Sequence, residues 1–467
     1  MDPIELFVDF SHKTTYADIP LRTVKATKSV LIDFFGVMLG GTANRQSRLC
    51  ADIVNKWGGT PEATVFSTGG KVPLHAAVLA NCTAGRALDY DDVHEQAHVH
   101  ATVAVVPTAL AISETKQING REFLVSIVLG FELLARIGLA LTKGPGATGM
   151  STTYQGASLA AALVGAKLLQ LDPNATRNAV GIAYSQLAGN QQVIREGVDL
   201  MIIQQGLSAM SGMVAVELAQ MGLTGPKEVL SGRYGYFPVY HPGRHDISAF
   251  AKNLGKEWEI ENTSLKPFPC CKHLHTAVQA ALDLRAEHCF SPEEIAEVQV
   301  RIGTEAYDMV CEPIAVKRNP STLVDAIYSM PYALSVALTK GRIGLEDFTI
   351  KAIKRQDMLK FAEIVHPIRD MNIKKIGDKG RPAWVTIKLK NKKELRSYKE
   401  VVKGNPDIPM SKEEVNAKFF DCLAYAGYPE NVANRLLEAL EHVENIDDIS
   451  TLVSLCCRPN SKWKQVF

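Results

Sequence analysis

The chain has 467 residues, more than the ~250–300 at which one hydrophobic core usually stops growing, so two domains are expected. Apolar residues make up 46% and charged residues 22%, values that exclude disordered, collagenous and coiled-coil chains. Lys plus Arg number 51 against 50 for Asp plus Glu, which leaves no global field to hold nucleic acid.

The start, Met1-Asp2-Pro3-Ile4-Glu5, lacks the basic region of a signal peptide, and no uncharged apolar run reaches the ~18 residues of a spanning helix. A cytoplasmic chain with no membrane partner is predicted. Nine cysteines, with adjacent pairs at Cys270-Cys271 and Cys456-Cys457 and no CxxC, read as reduced thiols.

Apolar residues recur every three or four positions over 21–40, 121–143 and 155–170, and the pattern continues over 175–188 and 201–222. This spacing predicts helices with broad buried faces. Two further apolar helical stretches, 74–88 and 102–113, flank a polar segment. Almost no alternating run occurs before about residue 250, so the first half is predicted to be helical.

Beyond His241-Pro242-Gly243 the texture changes. Ser291-Pro292-Glu293-Glu294 predicts a helix start. The segment 297–302 (EVQVRI) alternates as a half-buried strand does, and so does 383–390 (AWVTIKLK). Asn391-Lys392-Lys393 then turns the chain into 394–402, as in a hairpin. The expected fold class is mainly α. The helical part runs over 1–255, a smaller α+β domain spans roughly 256–400, and a helical tail over 401–467 can return to the first domain. Ser411-Lys412-Glu413-Glu414 is a capping box that starts the helical tail.

Gly144-Pro145-Gly146-Ala147-Thr148-Gly149 matches GxGxxG, yet it follows a helical pattern and reads as an inter-helix loop. The densest polar cluster is Asp89-Tyr90-Asp91-Asp92-Val93-His94-Glu95-Gln96-Ala97-His98-Val99-His100. Three readings of it stay open. His94, His98 and His100 with an Asp suit a divalent metal; one histidine set by a neighbouring Asp suits general acid/base catalysis; or the groups merely cap the flanking helices.

A second cluster, Lys266-Pro267-Phe268-Pro269-Cys270-Cys271-Lys272-His273-Leu274-His275, stays extended through its prolines before a helix near Thr276. Lys266 can pair with a carboxylate and His275 can donate to an anion, against the plain alternative of a surface lysine and a helix-start histidine. Tyr332, taken alone, reads as a core tyrosine.

In this order the clusters resemble the MmgE/PrpD family, which contains 2-methylcitrate dehydratase, cis-aconitate decarboxylase and iminodisuccinate epimerase. The matching pieces are Ala87–Asp92 with His100 and AVVP, Lys266-Pro267-Phe268-Pro269 with His275, Tyr332, and 405–414 (NPDIPMSKEE). The resemblance implies a large all-helical domain formed by both chain ends, a smaller α+β lid domain made by the middle, a homodimer, a site between the two domains, and a lyase or isomerase that uses neither cofactor nor metal on a small di- or tricarboxylic acid. It implies catalytic roles for Asp89, His100, Lys266, His275 and Tyr332, with Asp89 orienting His100 and Lys266 holding a carboxylate. Asp92, His94, Ser151, Arg195, Met201 and Cys271 would line the substrate. Ser151 and Met201 stand where relatives carry a histidine and a lysine, and Arg195 lies close enough to replace the lysine. Dehydration is the first expectation, with decarboxylation or epimerisation as alternatives. From other classes, a metal-dependent hydrolase and a non-catalytic binding protein remain open.

Overall fold

The computed structural model describes residues 2–142, 148–373 and 380–457. The fold is mainly α. The helical periodicities correspond to helices Leu21–Gly41, Leu74–Arg86, Thr102–Ser113, Gly120–Leu139, Thr152–Leu168, Pro173–Tyr184 and Leu200–Gln220. Their ends follow local capping chemistry. Asn119 closes a capping box with Glu122, accepting from the N–H groups of Arg121 and Glu122 at 3.0 Å. Most of the Gly144–Gly149 motif lies outside the described residues.

The chain divides into two compact units. The first runs from the chain start through Gln191, then Ile202–Leu265, and resumes at Ser411; the second holds Gln192–Met201 and Lys266–Met410. In the first unit the helix Leu21–Gly41 packs against Lys412–Tyr425. Contact is close because the facing residues are small: a Cβ on Gly36 would lie 2.9 Å from Phe419 Cα, and one on Gly40 2.9 Å from Cys422 O. Across this seam Lys418 Nζ meets Asp33 Oδ1 at 2.7 Å, both fully buried.

The first unit is not wholly helical. Strands β1 (Ala63–Thr64) and β2 (Lys71–Val72) form a short antiparallel ladder. It is held from outside, by Glu114 accepting from Thr64 N at 2.6 Å and by Asn81 donating to Thr64 O at 2.8 Å. Two-residue strands are too short to show an alternating pattern, so the periodicity misses them.

The second unit carries a four-stranded sheet in the order β4-β3-β5-β6, with β3 Ile295–Ile302, β4 Val365–Arg369, β5 Ala383–Leu389 and β6 Glu394–Lys399. The β5–β6 hairpin forms as its turn predicts, with Lys392 at φ +68° and Leu389 N–H donating to Lys393 O at 2.9 Å. One expectation is corrected and one strand was not foreseen. Ser291 starts only one 3-10 turn, Pro292–Glu294, before β3 takes over. Strand β4, which pairs parallel to β3, carries Pro367, and a proline demotes a run in any pattern reading while an edge position tolerates it. Helices His275–His288 and Met330–Lys340 pack on the sheet.

All nine cysteines are free thiols. Among the described residues no helix is long and apolar enough to cross a membrane.

Candidate active site

The polar segment 87–101 joins helices Leu74–Arg86 and Thr102–Ser113, nearly all of whose residues are buried. Its charged groups are therefore carried into the interior: Asp89 is 1%, Asp91 0%, Asp92 0% and His94 1% exposed. Left-handed backbone at Asp89 (φ +46°) and His98 (φ +56°) bends the loop. Bridges His94–Val99 and Val93–Ser264 fasten it. Non-glycine residues in that region are strained and persist where surrounding contacts hold them.

The chain then delivers His100. Its Nδ1 lies 2.8 Å from Asp91 Oδ2 and 2.8 Å from the Asp92 carbonyl. The Asp92 carbonyl, accepting at Nδ1, places the proton there, so Nε2 is the basic nitrogen of the neutral ring, with the Asp91 carboxylate close by to stabilise a charged ring. The backbone is clamped as well: His100 N–H donates to Thr153 Oγ1 at 3.3 Å, and Gln205 Nε2 donates to His100 O at 2.6 Å. Thr153 Oγ1 in turn donates to His98 O at 3.2 Å. The His100 side chain keeps 18% exposure in otherwise closed surroundings.

Arg86, the last residue of its helix, organises the carboxylates. Its Nη1 donates to Asp91 Oδ1 at 2.8 Å and also to Asp89 Oδ1. The Tyr154 phenol is hydrogen-bonded to the same guanidinium, which opposes the upward push that burial gives its pKa. Sequence reasoning assigned the orienting role to Asp89. The carboxylate found at His100 Nδ1 is Asp91, while Asp89 shares Arg86 with it. Arg86 and Asp91 were both missed. The i,i+3 spacing of Arg86 and Asp89 at a helix end was the available signal for the first.

Asp92 and His94, expected at the substrate, are otherwise engaged. Asp92 Oδ1 accepts the Thr102 hydroxyl. Burial pushes its carboxyl up to about 8; Thr102 and Lys418 oppose this, while Asp91 and Asp33 reinforce it. His94 uses both ring nitrogens: Nε2 lies 3.1 Å from Glu259 Oε2, and Nδ1 accepts from Ala97 N–H at 3.1 Å. Glu259 N–H donates at 2.8 Å to Glu132, whose other oxygen takes Arg136 Nε at 2.7 Å. Burial raises the Glu132 pKa to about 7 against these partners. Among the described residues no group of three or more His, Cys, Asp or Glu side chains has an arrangement that would hold a metal ion.

Ser151 is the N-cap residue of Thr152–Leu168 and donates its N–H to Gly189 O at 3.3 Å. Met201 is fully buried near the start of Leu200–Gln220, and Arg195 is exposed at the end of Gln192–Arg195.

In the second unit Lys266 is 1% exposed. Cys271 N–H donates to Ile327 O at 3.1 Å. His275 opens its helix with Nε2 3.0 Å from Cys270 O and its ring edge-on to Phe268. The Tyr332 hydroxyl donates to Asp347 O at 2.6 Å, and burial raises its pKa, with Asp347 adding to the shift.

The chain matches the models of the MmgE/PrpD N-terminal domain over residues 5–247 and of the MmgE/PrpD C-terminal domain over 268–444. It is 24% identical to the cis-aconitate decarboxylase-like protein oryM of Aspergillus oryzae, covering 94% of each chain. It is 24% identical to the cis-aconitate decarboxylase of Aspergillus terreus, with 94% of this chain and 92% of that one covered. The human cis-aconitate decarboxylase is 22% identical over 98% of this chain and 95% of its own.

Proposed function

We propose, from the fact that the chain belongs to the MmgE/PrpD family, that it is a carbon–carbon lyase removing CO2 from a small unsaturated di- or tricarboxylic acid. The names of its relatives favour decarboxylation over the dehydration expected first. The observation that carries the chemistry is His100 Nδ1 held by the Asp92 carbonyl with the Asp91 carboxylate 2.8 Å away, which leaves Nε2 as the atom that exchanges a proton with substrate.

In this reading the bond to one carboxylate breaks and CO2 leaves. The electron pair spreads through the double bond toward a remaining carboxylate, and His100, once its Nε2 has taken up a proton from solvent, delivers that proton to the carbanionic carbon and returns to the neutral ring. Asp91, fixed by Arg86, stabilises the imidazolium before that transfer. Lys266 holds a carboxylate of the same substrate and stabilises the accumulating charge. His275 supports the backbone at Cys270, and Tyr332 the backbone at Asp347.

The test is CO2 release from cis-aconitate by the wild type and by His100→Ala. A positioned acid contributes about 10²–10⁴-fold, so kcat is expected to fall by that factor. Unchanged turnover would remove His100 from the mechanism. Water loss from 2-methylcitrate without CO2 release would return the assignment to a dehydratase.

A further inference from the structure

The 17-residue helix Thr152–Leu168 begins in the interior of the first unit, and its first turn is uncapped: Ser151, the N-cap residue, makes no side-chain hydrogen bond to it. Thr152 and Thr153 are buried, and among the described residues neither of their N–H groups meets an acceptor. Gln155, on the same turn, is 0% exposed. Its Oε1 accepts from the Tyr236 hydroxyl at 3.1 Å, and His241 Nε2 lies 3.1 Å from that hydroxyl. Burial raises the Tyr236 pKa and lowers that of His241 to about 4, with His245 and Arg244 adding to the second shift. The phenol therefore keeps its proton and gives it to Gln155, and the neutral imidazole donates from Nε2 to the phenol oxygen. The far end of this chain, Gln155 Nε2, is buried and has no partner. Helical side chains lean toward the N-terminus of their helix, which carries Nε2 back toward the N–H groups of Thr152 and Thr153.

Buried donors left without acceptors weaken the fold that contains them. Here they are gathered at the positive end of a long helix, which is where an anion is held best. The same turn touches the proton-transfer group at two points. Thr153 Oγ1 accepts from His100 N–H at 3.3 Å, and the Tyr154 phenol is hydrogen-bonded to the Arg86 guanidinium that holds Asp91. We infer that Thr152 N–H, Thr153 N–H and the Gln155 amide hold one carboxylate of the substrate beside His100. This rests on the lyase reading above and deepens it, and every group it uses belongs to the first unit.

The experiment measures tricarballylate binding by calorimetry, because this saturated tricarboxylate has no double bond and binds without turnover. Thr152→Pro removes one backbone donor and spares the fold: the first position of a helix tolerates proline, and Ser151 already has the extended backbone (φ −104°, ψ 112°) that a following proline requires. Its reference is Thr152→Ala, which loses the hydroxyl and keeps the N–H. Gln155→Leu is made together with Tyr236→Phe, so that no buried hydroxyl is left without an acceptor. Loss of one hydrogen bond to a charged group should weaken tricarballylate binding about ten- to a hundredfold in Thr152→Pro relative to Thr152→Ala, at equal Tm, and by a similar factor in the Gln155 variant relative to Tyr236→Phe. Equal affinity within either pair, or no binding by the wild type, would overturn the proposal. Should Thr152→Pro lose its fold, the Gln155 pair decides by the same criterion. Binding that depends on these donors in a chain that releases no CO2 from cis-aconitate would sink the lyase reading alone. Turnover that depends on His100, with equal tricarballylate affinity in Thr152→Pro and Thr152→Ala, would sink this site alone.

Discussion

The two units treat buried charge in opposite ways. Around His100 in the first, Arg86 meets two carboxylates, Lys418 meets Asp33, and Arg136 meets Glu132. In the second, Lys317 is 2% exposed and forms no ion pair among the described residues, and Asp325, the carboxylate whose charge acts on it, accepts from Thr322 N–H. A paired buried charge orients what it touches and is missed badly when its partner goes. In the proposed reaction the paired charges of the first unit orient the proton-transfer group.

The sharpest way to break this contrast is to unpair the first unit. Arg86→Met leaves Asp89 and Asp91 facing each other in a closed interior, and removal of one partner from a buried pair destabilises by about 3–5 kcal/mol. Chemical denaturation should show a loss of that size, with activity falling too. A change below 1 kcal/mol would mean that the carboxylates are neutral in the fold and that Arg86 does not organise them.

Asp91→Asn should act on the reaction and spare the fold. The amide keeps the shape but does not stabilise the imidazolium, so kcat should fall about 10–100-fold while stability falls less than in Arg86→Met. An equal loss in Asp89→Asn, with Asp91→Asn active, would return the orienting role to Asp89.

A smaller effect is readable in pH. Asp92 has its ordinary pKa of 3.8 in the unfolded chain and about 8 in the fold. The folded chain therefore holds a proton that the unfolded one releases, and its contribution is fully present below 3.8 and lost as pH rises toward 8. Glu132, raised from 4.5 to about 7, acts in the same direction. Each such group removes up to about 1.4 kcal/mol per pH unit inside its window. Asp92→Asn should flatten the fall in stability between pH 5 and 8. An undiminished slope would show that Asp92 is ionised in the fold.

Much of this architecture was legible because it is periodic. The helices of the first half and the alternating strands β3 and β5 follow from spacing alone. What escaped was set by non-local contacts. The β1–β2 ladder depends on Glu114 and Asn81, and β4 is an edge strand with a proline. Within the site, the sequence points to the cluster at 89–100, but only the fold of the loop, turned by Asp89 and His98, decides that Asp91 faces His100.

Tyr332 supplies the finest test, because the sequence alone reads it as a core residue while the family resemblance implies catalysis. Its phenol is 1% exposed, donates to the Asp347 carbonyl and packs edge-on against Phe348. Nearby, Lys340 is ion-paired to the Asp347 carboxylate, so the 345–348 turn is held by both groups. Tyr332→Phe removes one neutral hydrogen bond and leaves a buried carbonyl short of a donor, which costs about 1 kcal/mol. Thermal denaturation should show that small loss with kcat and KM nearly unchanged. A tenfold fall in kcat at constant stability would place the hydroxyl at the reacting atoms, and the second unit would then contribute a proton donor as well as cations.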